Sequence, residues 1–178
     1  RALTSHPKVA RISFTGGPNA AKYVLCNSAE NFAEVSLELG GKSPFIVFED
    51  ADIESAVNGS IAGILGATGQ SCVAGSRLYL HKDIADEFLS RIVPLAKAIT
   101  IGDPLLEETQ MGPLCSIGQI NCVEEEVARA ISEGGKVLCG GKRPEGMPGN
   151  YYEPTIVECP RQDMHIVDTE MFGPVLSV

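Results

Sequence analysis

The segment TGQSCVAGS places Cys72 between Gly69 and Gly75. Glycine lets a backbone approach a substrate closely, and a cysteine thiolate is a strong nucleophile toward carbonyl carbon near neutral pH. If Cys72 leads into a helical turn, the free N–H groups of that turn would stabilise the thiolate and an oxyanion. The segment therefore offers a candidate nucleophilic cysteine, although its local composition alone favours a buried structural cysteine in a tight turn.

Glu38 is the second candidate, in the run SLELGGK just before Gly40 and Gly41. A partly desolvated carboxylate at the end of a strand is more basic than a solvated one, which suits a general base. Ligands also bind at the carboxyl ends of parallel strands. An outward-facing residue of a half-exposed sheet, with Lys42 as a possible partner, is the alternative.

A third pattern is a strand followed by a glycine turn and a helix. The apolar run 9–14 leads into Gly16 and Gly17, and Pro18 or Asn19 suits the first position or the cap of a helix. This arrangement directs backbone N–H groups at a phosphate. Because such turns are common, a purely structural role fits as well.

Composition limits the class of partner. The 178 residues carry a net charge of −9, which argues against nucleic acid. The densest charge run, 124–126, is acidic and predicts a solvated helix face. No apolar stretch reaches the roughly 20 residues that cross a bilayer, and the opening RALTSHPKVA is no signal peptide. We therefore expect neither a nucleic-acid nor a membrane partner.

The six cysteines include no C-x-x-C pair, and the three histidines lie far apart. This pattern predicts no metal site. Scattered cysteines in an acidic chain favour a reducing compartment, here the cytoplasm. The five cysteines other than Cys72 are predicted to be packing residues.

The elements that must position these residues alternate between strands and helices. Apolar runs predict strands at 9–14, 35–39, 44–48, 77–80 and 136–141, and brief extended runs after them. A 3.6-residue period predicts a helix capped by Asp52. A second helix starts near Asp83, with Ile84, Phe88, Ile92 and Leu95 on one side and Pro94 kinking or shortening it. A third carries Ile117, Ile120, Val127 and Ile131. The fold class is therefore α/β, an open, mostly parallel sheet with flanking helices.

Four blocks in order carry a family resemblance. They are FTGG (14–17), LELGGKSP (37–44), GQSCVAGSR (69–77) and EMFGPV (170–175), with 34 positions from Glu38 to Cys72 and 98 from Cys72 to Glu170. Over essentially the whole chain, they resemble the NAD(P)-dependent aldehyde dehydrogenase superfamily. FTGG stands where FTGS is commoner, and Met171 where isoleucine is more usual.

The resemblance implies a role for each candidate. Cys72 would attack the aldehyde and, after hydride loss, carry a thioester, and Glu38 would activate the water that hydrolyses it. Glu38 favours the acid-forming branch over the branch that passes the acyl group to coenzyme A. NAD or NADP would be contacted by Gly16 and Gly17 at the pyrophosphate, the Leu39 backbone at the carboxamide, Glu170 at the nicotinamide ribose, Phe172 at the nicotinamide end and Gln119 at the adenosine side.

The same resemblance implies the domain organisation. Residues 1–41 would be the C-terminal part of the NAD(P)-binding domain, and 42–178 the incomplete N-terminal part of the catalytic domain. The chain starts without Met and stops on an apolar run, so we expect a fragment that alone neither binds NAD(P) nor turns over a small-molecule aldehyde. The parent would be a homodimer or homotetramer. The alternatives are a cysteine acyl-transferase or hydrolase without a nicotinamide, and a non-catalytic protein of the same fold.

Overall fold

The computed structural model describes residues 1–178, and the chain divides into two units, Arg1–Gly41 and Lys42–Val178. The first unit is a β-α-β motif of β1 (Arg11–Thr15), α1 (Pro18–Ser28) and β2 (Glu34–Glu38), with its two strands parallel. Proline suits the start of α1, because its fixed φ is helical and the N–H that it lacks would have no partner there. The strand, glycine turn and helix predicted here are thus present.

The second unit is built on one five-stranded sheet. Four of its strands run parallel, and only the β5–β6 pair is antiparallel. The predicted open, mostly parallel sheet is confirmed. In spatial order, the strands are β3 (Pro44–Val47), β4 (Arg77–Leu80), β7 (Val175–Ser177), β6 (Thr155–Glu158) and β5 (Lys136–Cys139).

Helices flank this sheet, and two of them start on the side-chain caps that their sequences offer. The Asp52 carboxylate accepts a hydrogen bond from the Ser55 N–H at 2.7 Å, and the Ser116 hydroxyl accepts one from the Gln119 N–H at 3.1 Å. The four helices are α2 (Ile53–Leu65), α3 (Ala85–Lys97), α4 (Ile117–Ser132) and α5 (His165–Asp168).

The sheet is covered on both faces. Successive residues of a strand point to opposite sides, and the two central strands show it: Ile156 and Leu176 join one buried cluster, whereas Val157 and Val175 join the other. The first cluster contains Val57 of α2 and the second Ile120 of α4. Burial on both faces explains why the strands read as continuous apolar runs.

Three apolar positions of the predicted helical stripes lie at the surface, since Leu95, Ile117 and Ile131 are 43%, 60% and 52% exposed. The buried stripe of α3 continues instead from Ile92 to Ala96. Pro94 lies inside α3, which continues for three more residues to Lys97, because a proline in the last turn removes only one of the final hydrogen bonds.

Candidate functional site

Cys72 lies at the surface of the second unit, in a turn closed by a 3.1 Å hydrogen bond from the Ala74 N–H to the Ser71 carbonyl oxygen. The Cys72 N–H donates to no acceptor in the chain. Cys72 and Val73 form this turn rather than the start of a helix, and residues 74–76 lead into β4. The thiol and a free N–H are thus available at one exposed residue, as covalent chemistry on a carbonyl requires.

The loop that carries this cysteine, Gly69–Ser76 (the thiol loop), begins in left-handed backbone. Ala67, Thr68 and Gly69 have φ values of 50°, 58° and 69°, which is rare for residues other than glycine. A side chain on Gly69 could not fit, because a Cβ there would lie 2.0 Å from the carbonyl oxygen of Gly173. Only glycine satisfies both the backbone angle and this close approach.

Two side chains hold the thiol-loop region to the segment that precedes α4. The Thr68 hydroxyl donates to the Gly112 carbonyl oxygen at 3.1 Å. The side-chain oxygen of Gln70 accepts from the Cys115 N–H at 2.8 Å, and its nitrogen donates to the Ala67 carbonyl oxygen at 3.3 Å and to that of Pro113 at 3.5 Å. The Gln70 amide thus binds only backbone groups in the structure.

The far end of the thiol loop is also fixed. The Gly75 N–H donates to the Gly63 carbonyl oxygen of α2 at 3.1 Å, and the Ser76 carbonyl oxygen accepts from both the N–H and the hydroxyl of Ser177, each at 3.0 Å. A loop anchored at both ends holds its exposed turn in one geometry. Such preorganisation lowers the cost of orienting a nucleophile.

The other predicted ligand-binding segment of this unit is Glu170–Gly173 (the Glu170 loop). One carboxylate oxygen of Glu170, Oε1, is buried and has no hydrogen-bond partner. Phe172 is 38% exposed and has a φ of 47°. The Gln119 side-chain nitrogen donates to the Met171 carbonyl oxygen at 2.7 Å and to the Phe172 carbonyl oxygen at 3.2 Å. Gln119 was predicted to contact the adenosine side of the cofactor, but in the structure its amide nitrogen binds the Glu170 loop.

Sequence reasoning missed this use of Gln119. Ser116-x-x-Gln119 is the spacing of a capping box, in which the glutamine reaches back to the N–H of the cap. Only half of that motif forms, because the Ser116 hydroxyl accepts from the Gln119 N–H while the side chain of Gln119 binds the Glu170 loop. The spacing predicts the cap but not a partner more than fifty residues away.

Two cationic side chains of the second unit also carry buried polar atoms. The amine of Lys42 and the Nε of Arg77 are buried without hydrogen-bond partners. The pKa of Lys42 is lowered to about 8, mainly by burial and also by the Arg77 cation, while the charges of Cys159, Glu170 and Glu126 act in the opposite direction. The sequence indicates Lys42 as a possible partner of Glu38. Its charged neighbours within the second unit include Glu170.

The acidic run at the middle of α4 is not simply a solvated face. A Glu126 carboxylate oxygen lies 2.6 Å from Nδ1 of His165, which begins α5. Glu124 receives two hydrogen bonds from Arg143, at 2.8 and 2.6 Å. The Arg143 hydrogen bond lowers the pKa of Glu124. His165 thus links α4 to α5, which ends at Asp168, two positions before Glu170.

The other cysteines divide into two kinds, contrary to the expectation that all five are packing residues. Cys26, Cys115 and Cys122 are exposed, and only Cys139 is fully buried. Desolvation raises the pKa values of Cys122, Cys139 and Cys159. These three thiols are therefore less able than an unperturbed one to act as thiolates.

In the first unit, the candidate residues lie at the carboxyl ends of the two strands. Gly17 caps α1 without a side-chain hydrogen bond, and a Cβ on Gly17 would meet no atom within 4 Å. The Gly16 N–H donates to the Glu38 carbonyl oxygen at 3.0 Å. Glu38 and Leu39 are both exposed. The partial desolvation expected of Glu38 is therefore not present in this unit, although the residue does end β2 as predicted.

No helix of the chain combines the length and the apolar character needed to cross a membrane.

Comparison with known proteins gives one consistent family. The model of the aldehyde dehydrogenase family matches residues 1–178. The chain is 53% identical over 177 residues to the (Z)-2-((N-methylformamido)methylene)-5-hydroxybutyrolactone dehydrogenase of Acinetobacter baylyi, covering 99% of the chain and 36% of that protein. It is 43% identical to the chloroplastic betaine aldehyde dehydrogenase of Atriplex hortensis, with 99% and 35% covered.

Comparison with solved structures gives a matching result. The crystal structure of PnpE in complex with nicotinamide adenine dinucleotide superposes with a TM-score of 0.96 at 48% identity, over 99% of this chain and 37% of that one. The chain thus spans little more than a third of the length of the proteins that it matches.

Proposed function

The chain belongs to the aldehyde dehydrogenase family, and we propose that the protein carrying it oxidises an aldehyde to a carboxylic acid with NAD(P)+ as the hydride acceptor. One observation carries the proposal: Cys72 presents an exposed thiol and a free backbone N–H on a loop anchored at both ends. Relatives named for dehydrogenation of betaine aldehyde and the NAD-bound PnpE structure support the reaction class and the cofactor.

The first step is carried by Cys72. Its thiolate attacks the carbonyl carbon of the aldehyde and forms a thiohemiacetal, whose oxyanion accepts a hydrogen bond from the Cys72 N–H. Loss of hydride from the former aldehyde carbon leaves a thioester on Cys72. The raised pKa values of Cys122, Cys139 and Cys159 make these three thiols poorer nucleophiles.

Glu38 is proposed as the base for the second half of the reaction. Its carboxylate takes a proton from the water that attacks the thioester, and cleavage of the C–S bond releases the carboxylic acid and the Cys72 thiolate. The support is its position at the end of β2 and its place in the family pattern. A base at this position favours hydrolysis over transfer of the acyl group to coenzyme A.

The residues present fit a nicotinamide dinucleotide. The buried, unpartnered Oε1 of Glu170 can accept a hydrogen bond from a ribose hydroxyl. The uncapped start of α1 behind Gly16 and Gly17 offers N–H groups to a pyrophosphate, and Phe172 and the Leu39 backbone are assigned to the nicotinamide. When bound, the cofactor supplies the hydride acceptor. NAD and NADP remain alternatives.

Several broader assignments remain predictions. We assign 1–41 to the NAD(P)-binding domain and 42–178 to the catalytic domain, and expect the parent to be a homodimer or homotetramer. A cytoplasmic location rests on the cysteine pattern, and relatives include chloroplastic and peroxisomal enzymes. The 178-residue chain alone is predicted to produce no NAD(P)H, since it spans about a third of its relatives.

The test is NAD(P)H formation by the full-length protein carrying this chain, assayed with a panel of aldehydes. Cys72→Ser should lower kcat at least a thousandfold, while Cys122→Ser, an exposed cysteine of α4, is the matched control and should keep wild-type turnover. Robust activity in Cys72→Ser would exclude this nucleophile. Thioester formation without any bound NAD(P) would favour an acyl-transferase or hydrolase instead.

A further inference from the structure

We propose that Gln70 and Gln119 are positioning residues that tie the thiol loop and the Glu170 loop to one shared segment, Gly112–Gln119 (the bridging segment). This inference rests on the proposed function, because it gives the two loops their roles. Cys72 and Glu170 lie 98 positions apart in the sequence, so their relative placement depends on tertiary contacts. Gly69 already packs directly against the backbone of Gly173, and the two glutamines add contacts through side-chain amides that bind backbone.

The first link joins the thiol loop to the bridging segment. Gln70, two residues before Cys72, accepts from the Cys115 N–H at 2.8 Å and donates to the Pro113 carbonyl oxygen at 3.5 Å. The Thr68 hydroxyl adds a bond to the Gly112 carbonyl oxygen at 3.1 Å. A donor and an acceptor on one amide fix the side chain in both directions.

The bridging segment is rigid enough to transmit position. Leu114 is 2% exposed, and its N–H donates to the Asn150 carbonyl oxygen at 2.8 Å. Ser116 caps α4, whose buried residue Ile120 lies in the core. Burial and a helix start thus hold the segment in addition to its bonds to the thiol loop.

The second link joins the bridging segment to the Glu170 loop. Gln119 donates to the carbonyl oxygens of Met171 and Phe172 at 2.7 and 3.2 Å. These bonds orient the peptide groups around Phe172, whose φ of 47° is costly for a bulky residue. Gln119 has no hydrogen bond to the thiol loop, so any effect on Cys72 must pass through the protein.

The experiment uses isosteric variants of the full-length protein carrying this chain. Gln70→Met and Gln119→Met, alone and together, remove the bonds and keep the side-chain length. Gln110→Met is the matched control, since Gln110 also accepts from a backbone N–H at 2.8 Å, but from Thr100 and not from either loop. The readouts are the rate of Cys72 alkylation by iodoacetamide, followed by peptide mass spectrometry, and kcat and KM for NAD(P)+.

The decisive result is the effect of each substitution on the loop that its own side chain does not bind. Gln119→Met should slow Cys72 alkylation, and Gln70→Met should raise KM for NAD(P)+, each by about three- to tenfold, the range expected for one net hydrogen bond. The fold loss of kcat/KM in the double variant should be smaller than the product of the two single-variant losses. Either substitution alone already breaks the link between the two loops through the bridging segment. Gln110→Met should match the wild type in both readouts.

The inference is overturned if Gln119→Met leaves Cys72 alkylation unchanged or faster, if the single losses multiply, or if Gln110→Met has equal effects. Alkylation is measured whether or not an aldehyde is oxidised. A wild-type protein without NAD(P)H production would therefore refute the proposed function, while the cross-effect on Cys72 would still decide whether the two loops are tied.

Discussion

Replacing Gly69 with alanine tests the packing that positions the thiol loop. Gly69 has a φ of +69°, and a Cβ there would lie 2.0 Å from the Gly173 carbonyl oxygen and 2.3 Å from its carbonyl carbon. Both atoms belong to the backbone, so they cannot rotate away as a flexible side chain could. Either the thiol loop or the Glu170 loop has to move.

The magnitude follows from two contributions. Left-handed backbone costs an alanine about 2 kcal/mol. The Gly173 oxygen must also shift by about 1 Å to clear the clash, which weakens the 2.7 Å hydrogen bond that it accepts from the Val175 N–H. That loss adds about 1 kcal/mol. The total of about 3 kcal/mol corresponds to a melting temperature lower by roughly 10 °C for a domain of this size.

Thermal unfolding of the 178-residue chain, followed by far-ultraviolet circular dichroism, measures this. Gly63→Ala is the matched control, because Gly63 lies inside α2 and a Cβ there meets nothing within 4 Å. It should raise stability by about 1 kcal/mol, the helix preference of alanine over glycine. A Gly69→Ala protein that melts within about 2 °C of the wild type would refute the reasoning.

Two further predictions concern pH. Lys42→Met should stabilise the chain near pH 7 by at most about 3 kcal/mol, because burial, then the Arg77 cation, lower the pKa of Lys42 to about 8 and the native state holds a costly charge below it. This advantage should shrink as pH rises from about 8 toward the ordinary lysine pKa of 10.5. Urea unfolding at several pH values measures the difference in free energy of unfolding between the variant and the wild type. A difference that stays constant across this range contradicts the prediction. The hydrogen bond from the Ser55 N–H lowers the pKa of Asp52. The stability that the Asp52 carboxylate adds is therefore fully present above the ordinary pKa of an aspartate. It is lost as pH falls through the lowered pKa of the folded protein. Asp52→Asn should keep the cap and flatten the acid limb of the stability profile, and an unchanged limb would disprove it.

Local signals account for what the sequence predicted of the fold. The apolar period and the carboxylate at Asp52 define α2, and continuous apolar runs define the central strands. The exposed faces at Leu95 and Ile131 were not predictable from period alone. An apolar residue at the margin of a helical stripe is buried only if the sheet or a neighbouring helix reaches that far, and the three-dimensional packing decides this.

The candidate site shows the same limit. The glycine-rich composition around Cys72 indicated a special loop, but not the left-handed backbone at Ala67 and Thr68. That conformation is stabilised by contacts with residues far along the chain, including Gly112. The contacts of Gln119 could not be predicted from the sequence for the same reason. Its acceptors lie on the Glu170 loop, which comes close to Gln119 only in the folded protein.

The most direct test of the central proposal is to trap the acyl group on its cysteine. Full-length Glu38→Gln protein would be incubated with an aldehyde and NAD(P)+, quenched in acid and digested for peptide mass spectrometry. With the base removed, hydrolysis should slow by about a hundredfold or more, so the acyl mass should accumulate on the Cys72 peptide and on none of the other five cysteines. NAD(P)H formation without an adduct on Cys72, or with the adduct on another cysteine, would contradict the proposal.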